Sequence, residues 1–239
     1  MGELNQGVCF SPLEGIVRGK IPFGTIWQVR GESGAGKSTL GFQFMVQGLR
    51  QGESAVYVAC DEPAARVRED LNFFGFVSDP YEREGRLIFI DTYESSDPRV
   101  VCIKDRGDAQ EFLYVITRVV RQMKKPCRVV LDSLTSISAV YSTKEFLALV
   151  QDKNRLLREP DVVIMDMYLK GTLEEAGMYA LTNAYDVCLD LFFPDERGGV
   201  PQRNLRLHKL RTAGYDPRPF PCCIKRGVGL VVDKDFYFR

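Results

Sequence analysis

One histidine, one tryptophan and no net charge set the first limits on what this 239-residue chain does. The sole histidine, His208, leaves little for a zinc site, and the seven cysteines, at 9, 60, 102, 127, 188, 222 and 223, show no Cys-x-x-Cys spacing. That excludes a zinc-ribbon or dithiol redox pattern and predicts reduced thiols, with the vicinal Cys222-Cys223 read as strand packing. The 32 basic residues balance 32 acidic ones, so no global field recruits nucleic acid or anionic lipid, although a local patch stays open. No apolar run approaches the length of a membrane span, the N-terminus lacks a charged-then-apolar signal pattern, and Gln6 breaks the myristoylation pattern after Gly2. A soluble cytoplasmic protein is expected. Repeats, low-complexity tracts and long linkers are lacking too, so residues 1–239 read as one domain, and 45% hydrophobic content fills a sizeable core.

What is there begins with "GESGAGKSTL", residues 31–40. Gly31-x-x-x-x-Gly36-Lys37-Ser38 has the spacing of the phosphate-binding P-loop, in which the backbone amides of Gly31, Glu32, Ser33, Gly34, Ala35 and Gly36 turn inward around a nucleotide's phosphates. Glycine is required because the loop bends too tightly for a Cβ. Lys37 is expected to reach the β- and γ-phosphates, and Ser38 to ligate Mg²⁺ at the positive end of the following helix, with Thr39 a secondary phosphate contact. The flanks agree: Thr25–Val29 reads as a strand, and Phe42, Met45, Val46 and Leu49 fall on one helical face.

Strand-like runs recur at Ala55–Cys60, Leu87–Asp91, Arg128–Asp132 and Val162–Asp166, with helical periodicity between them in Phe112, Val115, Ile116 and Val119 and in Phe146, Leu149 and Val150. This alternation predicts an α/β fold with a mainly parallel sheet flanked by helices. Beyond residue 185 the short runs "VCLDLFF", "NLRLHKL", "PCCIK" and "GLVV", set between turns such as "PDERGGVP" and "AGYDPRP", predict antiparallel strands added at the C-terminal edge. The stretch Thr92–Asp108 reads as the one long loop.

Two strand ends carry acids. "CRVVLDSLTSI" offers Asp132 to hold the Mg²⁺ water shell, the alternative being a cap on the next helix. "VYVACDEP" places Asp61 and Glu62 where a carboxylate can polarise a water for in-line attack on the γ-phosphate. Glu62-Pro63 reads equally as an acid at an N-cap followed by proline at the first helical position.

Taken in order, "GKIPFGTIWQVRGESGAGKSTLGFQFMVQGL", "GESAVYVACDEPAARVREDLNFFGF", "EREGRLIFIDTYE", "RVVLDSLTSI" and "LRLHKLRT" resemble a single KaiC-like domain of the RecA superfamily, from about Gly7 to Val232. The resemblance implies a RecA-like ATPase core that assembles as a ring, usually a hexamer, with ATP between neighbouring subunits. It assigns Asp61 and Glu62 to the lytic water, and Lys209 and Arg211 to the nucleotide of the adjacent subunit, where a cation crossing an interface stabilises the transferring phosphoryl group. Without the resemblance, Arg203, Arg206, Lys209 and Arg211 read as a solvated strand face.

The chain departs from the family in three places. Asp61 stands where a glutamate is usual, which predicts slow hydrolysis. Thr212 and Tyr215 replace the glycine and histidine that commonly follow the K-x-R segment, and Asp166-Met167 replace polar Ser or Thr residues after the fourth strand. An extra carboxylate near the γ-phosphate would oppose its charge, so Asp166 either points away or retunes the site. The leading expectation is a slow, Mg²⁺-dependent ATPase in a regulatory or signalling setting. The alternatives are a non-hydrolysing ATP sensor that docks a protein partner, and a recombinase-like DNA-binding ATPase using a basic stripe over residues 201–226. Glu174 and Glu175 count against the latter. Self-phosphorylation ranks last.

Overall fold

Near-continuous apolar runs set the central strands, and the connections between them set their directions. In the computed structural model, which describes residues 7–194 and 202–238, the chain opens with β1 (Val17–Arg18), β2 (Ile26–Gly31), α1 (Lys37–Arg50), β3 (Ser54–Ala59), α2 (Ala64–Phe73) and α3 (Asp79–Arg83). There follow β4 (Leu87–Asp91), β5 (Val100–Cys102), α4 (Ala109–Gln122), β6 (Cys127–Asp132), α5 (Leu134–Ser138) and α6 (Thr143–Leu157). The remainder is β7 (Val162–Leu169), α7 (Glu175–Asn183), β8 (Val187–Phe192), β9 (Asn204–Leu210), β10 (Gly214–Tyr215), β11 (Phe220–Lys225) and β12 (Gly229–Val232).

Ten strands form one sheet in the order β12-β11-β9-β8-β2-β7-β6-β3-β4-β5. Every pair from β8 to β5 is parallel, and β9, β11 and β12 continue the sheet antiparallel. The α/β architecture expected from the sequence is therefore present, with two corrections. "VCLDLFF" was expected to run antiparallel, but β8 runs parallel to β2, pairing Trp27 with Val187 and Gly31 with Leu191. The reason is α7, which supplies the crossover that a parallel return requires. The loop expected over Thr92–Asp108 contains β5, a parallel edge strand held on β4 by Phe89↔Val100 and Asp91↔Cys102. Three residues were too short a run to register as periodicity. The turn "AGYDPRP" also carries β10, which pairs with β1. The expected "PDERGGVP" turn lies, after Pro194, outside the described residues.

Each face of the sheet is covered. On one, Leu40, Phe44 and Met45 of α1 and Val67 and Leu71 of α2 pack on Trp27, Val29, Tyr57 and Phe89. On the other, Phe112 and Ile116 of α4 and Phe146 and Val150 of α6 pack on Val56, Val129 and Ile164. Two of the long helices are started by side-chain caps: Asp108 accepts from the amides of Gln110 and Glu111 at α4, and Ser142 with Glu145 forms a capping box at α6. At the foot of α1 the fully buried Arg128 pairs with Glu53 at 2.6 Å and donates to the Phe44 carbonyl at 3.0 Å. Because β2, β3, β6 and β7 run the same way, their C-terminal ends meet at one edge, the usual place for a ligand in a parallel sheet.

Candidate functional site

At that edge β2 ends in Gly31 and turns through residues 32–36 into α1. A Cβ on Gly31 would lie 2.6 Å from the Leu191 carbonyl oxygen. Gly36, at the N-cap of α1, has φ 94°, a left-handed conformation that disfavours any side chain. The cradle therefore needs glycine at both ends of the motif. Lys37 Nζ donates to the carbonyls of Gly31 (3.2 Å) and Glu32 (2.9 Å). Burial pulls its ammonium below the ordinary lysine range, against the opposing effects of Asp132 and Asp61. Ser38 is exposed at the mouth of the loop, whereas Thr39 is buried beneath it. Glu32 is paired with Lys170 at 3.1 Å.

Asp132 closes the site from β6. The Tyr57 hydroxyl donates to its Oδ2 at 2.6 Å. Burial pushes the Asp132 carboxyl up, with nearby Asp61 acting in the same direction and the Tyr57 and Ser38 hydroxyls opposing. The capping alternative holds for the hydroxyl of that run and not for the acid: α5 is capped by Ser133, whose Oγ accepts from the Thr135 amide at 3.3 Å, which leaves Asp132 without a capping duty. Ser133 also donates to Asp61 Oδ2 at 2.7 Å, which ties the second acid to the strand of the first.

Glu62 is placed differently. Its side chain is 58% exposed, and its ion-pair contact is with Arg66 at 3.8 Å. Neither is it the cap it resembled in the sequence. Helix α2 begins at Ala64 with Pro63 at the N-cap, and the Ala64 amide donates to Asp91 Oδ2 from β4 at 2.8 Å. A buried aspartate from a neighbouring strand does the capping, which no local pattern reveals.

Lys209 and Arg211 come together, but away from this loop. Lys209 lies opposite Cys188, which pairs with Gln28, three residues before Gly31 along β2. Lys209 Nζ donates to the Thr182 carbonyl at 2.9 Å and Arg211 to the Asn183 carbonyl at 2.8 Å, so both cations sit at the negative end of α7. The basic stripe is dispersed as well. Arg203 turns to the P-loop, Arg218 is bonded to Asp216, and Arg226 lies over Phe73. Tyr215 donates to the His208 carbonyl at 3.1 Å.

Asp166 points away from the phosphate loop. Strand β7 runs three residues past the predicted end, so Asp166 lies mid-strand and its side chain meets Lys153 of α6 and the Tyr185 hydroxyl, each at 2.6 Å. Residues at the true end of β7 stand by the loop instead: the Lys170 amide donates to Gly31 O at 2.9 Å, and Thr172 meets Thr135 at 3.2 Å.

Sequence reasoning missed Tyr57 and Ser133 and read Arg203 only as part of a stripe. Arg203 donates to the carbonyls of Ala35 (2.7 Å) and Gly34 (3.1 Å), pinning the outside of the loop. Tyr57 sits two residues before Ala59 on a strand of the site, a signal that alternation could have supplied.

A hard oxygen pair, Ser38 and Asp132, beside a phosphate cradle fits Mg²⁺, which keeps several waters and takes one or two protein oxygens plus phosphate. Clusters of three or more His, Cys, Asp or Glu able to hold a metal by themselves are absent among the described residues, as is any helix long and apolar enough to cross a membrane.

Comparison with known proteins agrees with this geometry. A family model described as "ATPase: KaiC" matches residues 10–236. A UPF0273 protein of Pyrococcus furiosus is 32% identical over 233 residues, covering 93% of this chain and 92% of its own. The circadian clock protein KaiC3 of Synechocystis is 30% identical over 222 residues, covering 90% of this chain and 42% of its own. The crystal structure of a KaiC-like protein from Pyrococcus horikoshii superposes with a TM-score of 0.80 over 96% of this chain and 99% of that one, at 24% identity, a likeness of fold.

Proposed function

This chain belongs to the KaiC family of ATPases, and on that premise we propose that its residues form a single ATPase domain that binds ATP with Mg²⁺ and hydrolyses it slowly. The setting proposed is the cytoplasm, at the subunit interfaces of a homo-oligomeric ring, a hexamer, that signals its nucleotide state to a protein partner. The observation that carries this reading is the meeting of Lys37, Ser38, Asp132 and Asp61 at one sheet edge, close enough that both acids act on the Lys37 ammonium. Loop amides and Lys37 hold the triphosphate, and Ser38 and Asp132 hold Mg²⁺, which neutralises phosphate charge when bound. Asp61, oriented by Ser133, and Glu62, free of a capping duty, serve the attacking water. Lys209 and Arg211 stand too far along the sheet for their own loop and are suited to a neighbour's nucleotide.

The test is phosphate release from purified protein beside Lys37→Ala and Glu62→Gln, with light scattering in the presence and absence of ATP and Mg²⁺. Loss of release in both variants supports the assignment; a rate unchanged in Glu62→Gln rejects that base. A second reading, an ATP sensor without turnover, is favoured by the exposed Glu62 and its long contact to Arg66. It predicts tight binding with no phosphate release in the assembled protein. The DNA-binding reading draws no support from cations that are spread over separate partners.

A further inference from the structure

Resting on the reading that Asp132 carries the metal's water shell, we infer that Tyr57 is a positioning residue for that carboxylate. Its phenol decides which carboxylate oxygen remains for Ser38 and Mg²⁺.

The placement follows from the sheet. β3 and β6 are parallel neighbours with Ala59 opposite Asp132 and Tyr57 opposite Val130, so Tyr57 and Asp132 lie diagonally on the face that α1 covers. The Tyr57 ring is 1% exposed and is held between Phe42 and Phe89, with ring centres 5.6 Å and 6.0 Å away. Nothing in that aromatic packing calls for a hydroxyl. A phenylalanine would fill the same space without bringing a buried O–H that must find an acceptor. The acceptor is Asp132 Oδ2, at 2.6 Å.

A carboxylate at the end of a strand can turn about its last bond and offer a metal either oxygen or both. With Oδ2 held by a donor whose ring cannot move, the plane of the group is fixed and Oδ1 is left for the metal side. Mg²⁺ demands near-ideal octahedral geometry and tolerates misplaced oxygens poorly, so fixing that plane matters more for it than for a flexible cation such as Ca²⁺. Ser133 does the corresponding work for Asp61, accounting for both acids separately.

The experiment titrates full-length protein with a fluorescent N-methylanthraniloyl ATP, first in EDTA and then at fixed nucleotide with increasing Mg²⁺. The proteins compared are the wild type, Tyr57→Phe, Asp132→Asn and Phe89→Leu. Tyr57→Phe is expected to raise the half-saturating Mg²⁺ about tenfold while its affinity in EDTA stays within about twofold of wild type. Phe89→Leu, which loosens the ring but keeps the hydroxyl, should show the smaller Mg²⁺ shift of the two. If Asp132→Asn responds to Mg²⁺ as the wild type does, the underlying reading of Asp132 fails. If Asp132→Asn loses the response and Tyr57→Phe keeps it, the inference alone is overturned. It is equally overturned if Tyr57→Phe weakens binding by the same factor with and without Mg²⁺, since a packing group would behave that way.

Discussion

Lys153 and Asp166 form an ion pair at 2.6 Å with 1% and 0% of their side chains exposed, behind the nucleotide strand and on the face opposite α1. Burial pulls the Lys153 ammonium down while Asp166 holds it up, so the lysine's charge depends on its partner. The acid that seemed to threaten the γ-phosphate is a structural anchor between β7 and α6.

Removing one partner leaves the other charged and buried. Lys153→Ala should lower stability by about 3–5 kcal/mol, whereas replacing both together, Lys153→Met with Asp166→Leu, should cost much less. Urea denaturation measures this. Nucleotide affinity of the folded protein should stay within about twofold, because neither group faces the loop.

Asp132, proposed above to hold the metal, is destabilising for the fold. Its carboxyl is held above the ordinary 3.8 chiefly by burial. Between 3.8 and the raised folded value the folded protein binds more protons than the unfolded chain, so stability falls as pH rises through that window. Above it the full cost is carried. Asp132→Asn should therefore raise the melting temperature by a few degrees at pH 7 in EDTA, and that gain should vanish as pH falls toward 3.8. Thermal melts across pH check it, and a lower melting temperature at pH 7 would contradict it.

Arg203 holds the P-loop from outside through two carbonyls and stacks over Phe193 at 5.2 Å. Arg203→Ala should weaken nucleotide binding about tenfold, equally with and without Mg²⁺, because the loop and not the metal is loosened. Arg203→Lys should not restore it, since an ammonium cannot reproduce the guanidinium fork. Calorimetric titration distinguishes the cases.

If Lys209 and Arg211 serve a neighbouring subunit, two inactive proteins can rescue each other. Lys209→Ala with Arg211→Ala lacks the cations, and Glu62→Gln lacks the assigned base. Mixed and reassembled, they should regain about a quarter of wild-type phosphate release, as random pairing places both intact halves at one interface in four. Mixing that restores nothing would place the cations' role within their own chain.

The sequence by itself determined the phosphate loop, because glycine spacing and the strand-to-helix junction are local properties that chain contacts scarcely alter. It also determined which runs became strands, as at Leu87–Asp91, Asn204–Leu210 and Gly229–Val232, and which helix faces were buried. Where each acid and cation points was decided by tertiary structure. Asp91 caps α2 from another strand, Tyr57 reaches Asp132 across a strand pair, and Asp166 finds Lys153 rather than phosphate. The clearest case is β9, where the register slips between Cys188 and Leu189 so that His208 becomes an extra residue. Leu205 and Leu207 are buried before the slip and Leu210 after it, which turns Lys209 toward the end of α7. A strand's alternation has period two and carries no record of where a partner strand inserts a bulge; only pairing supplies that.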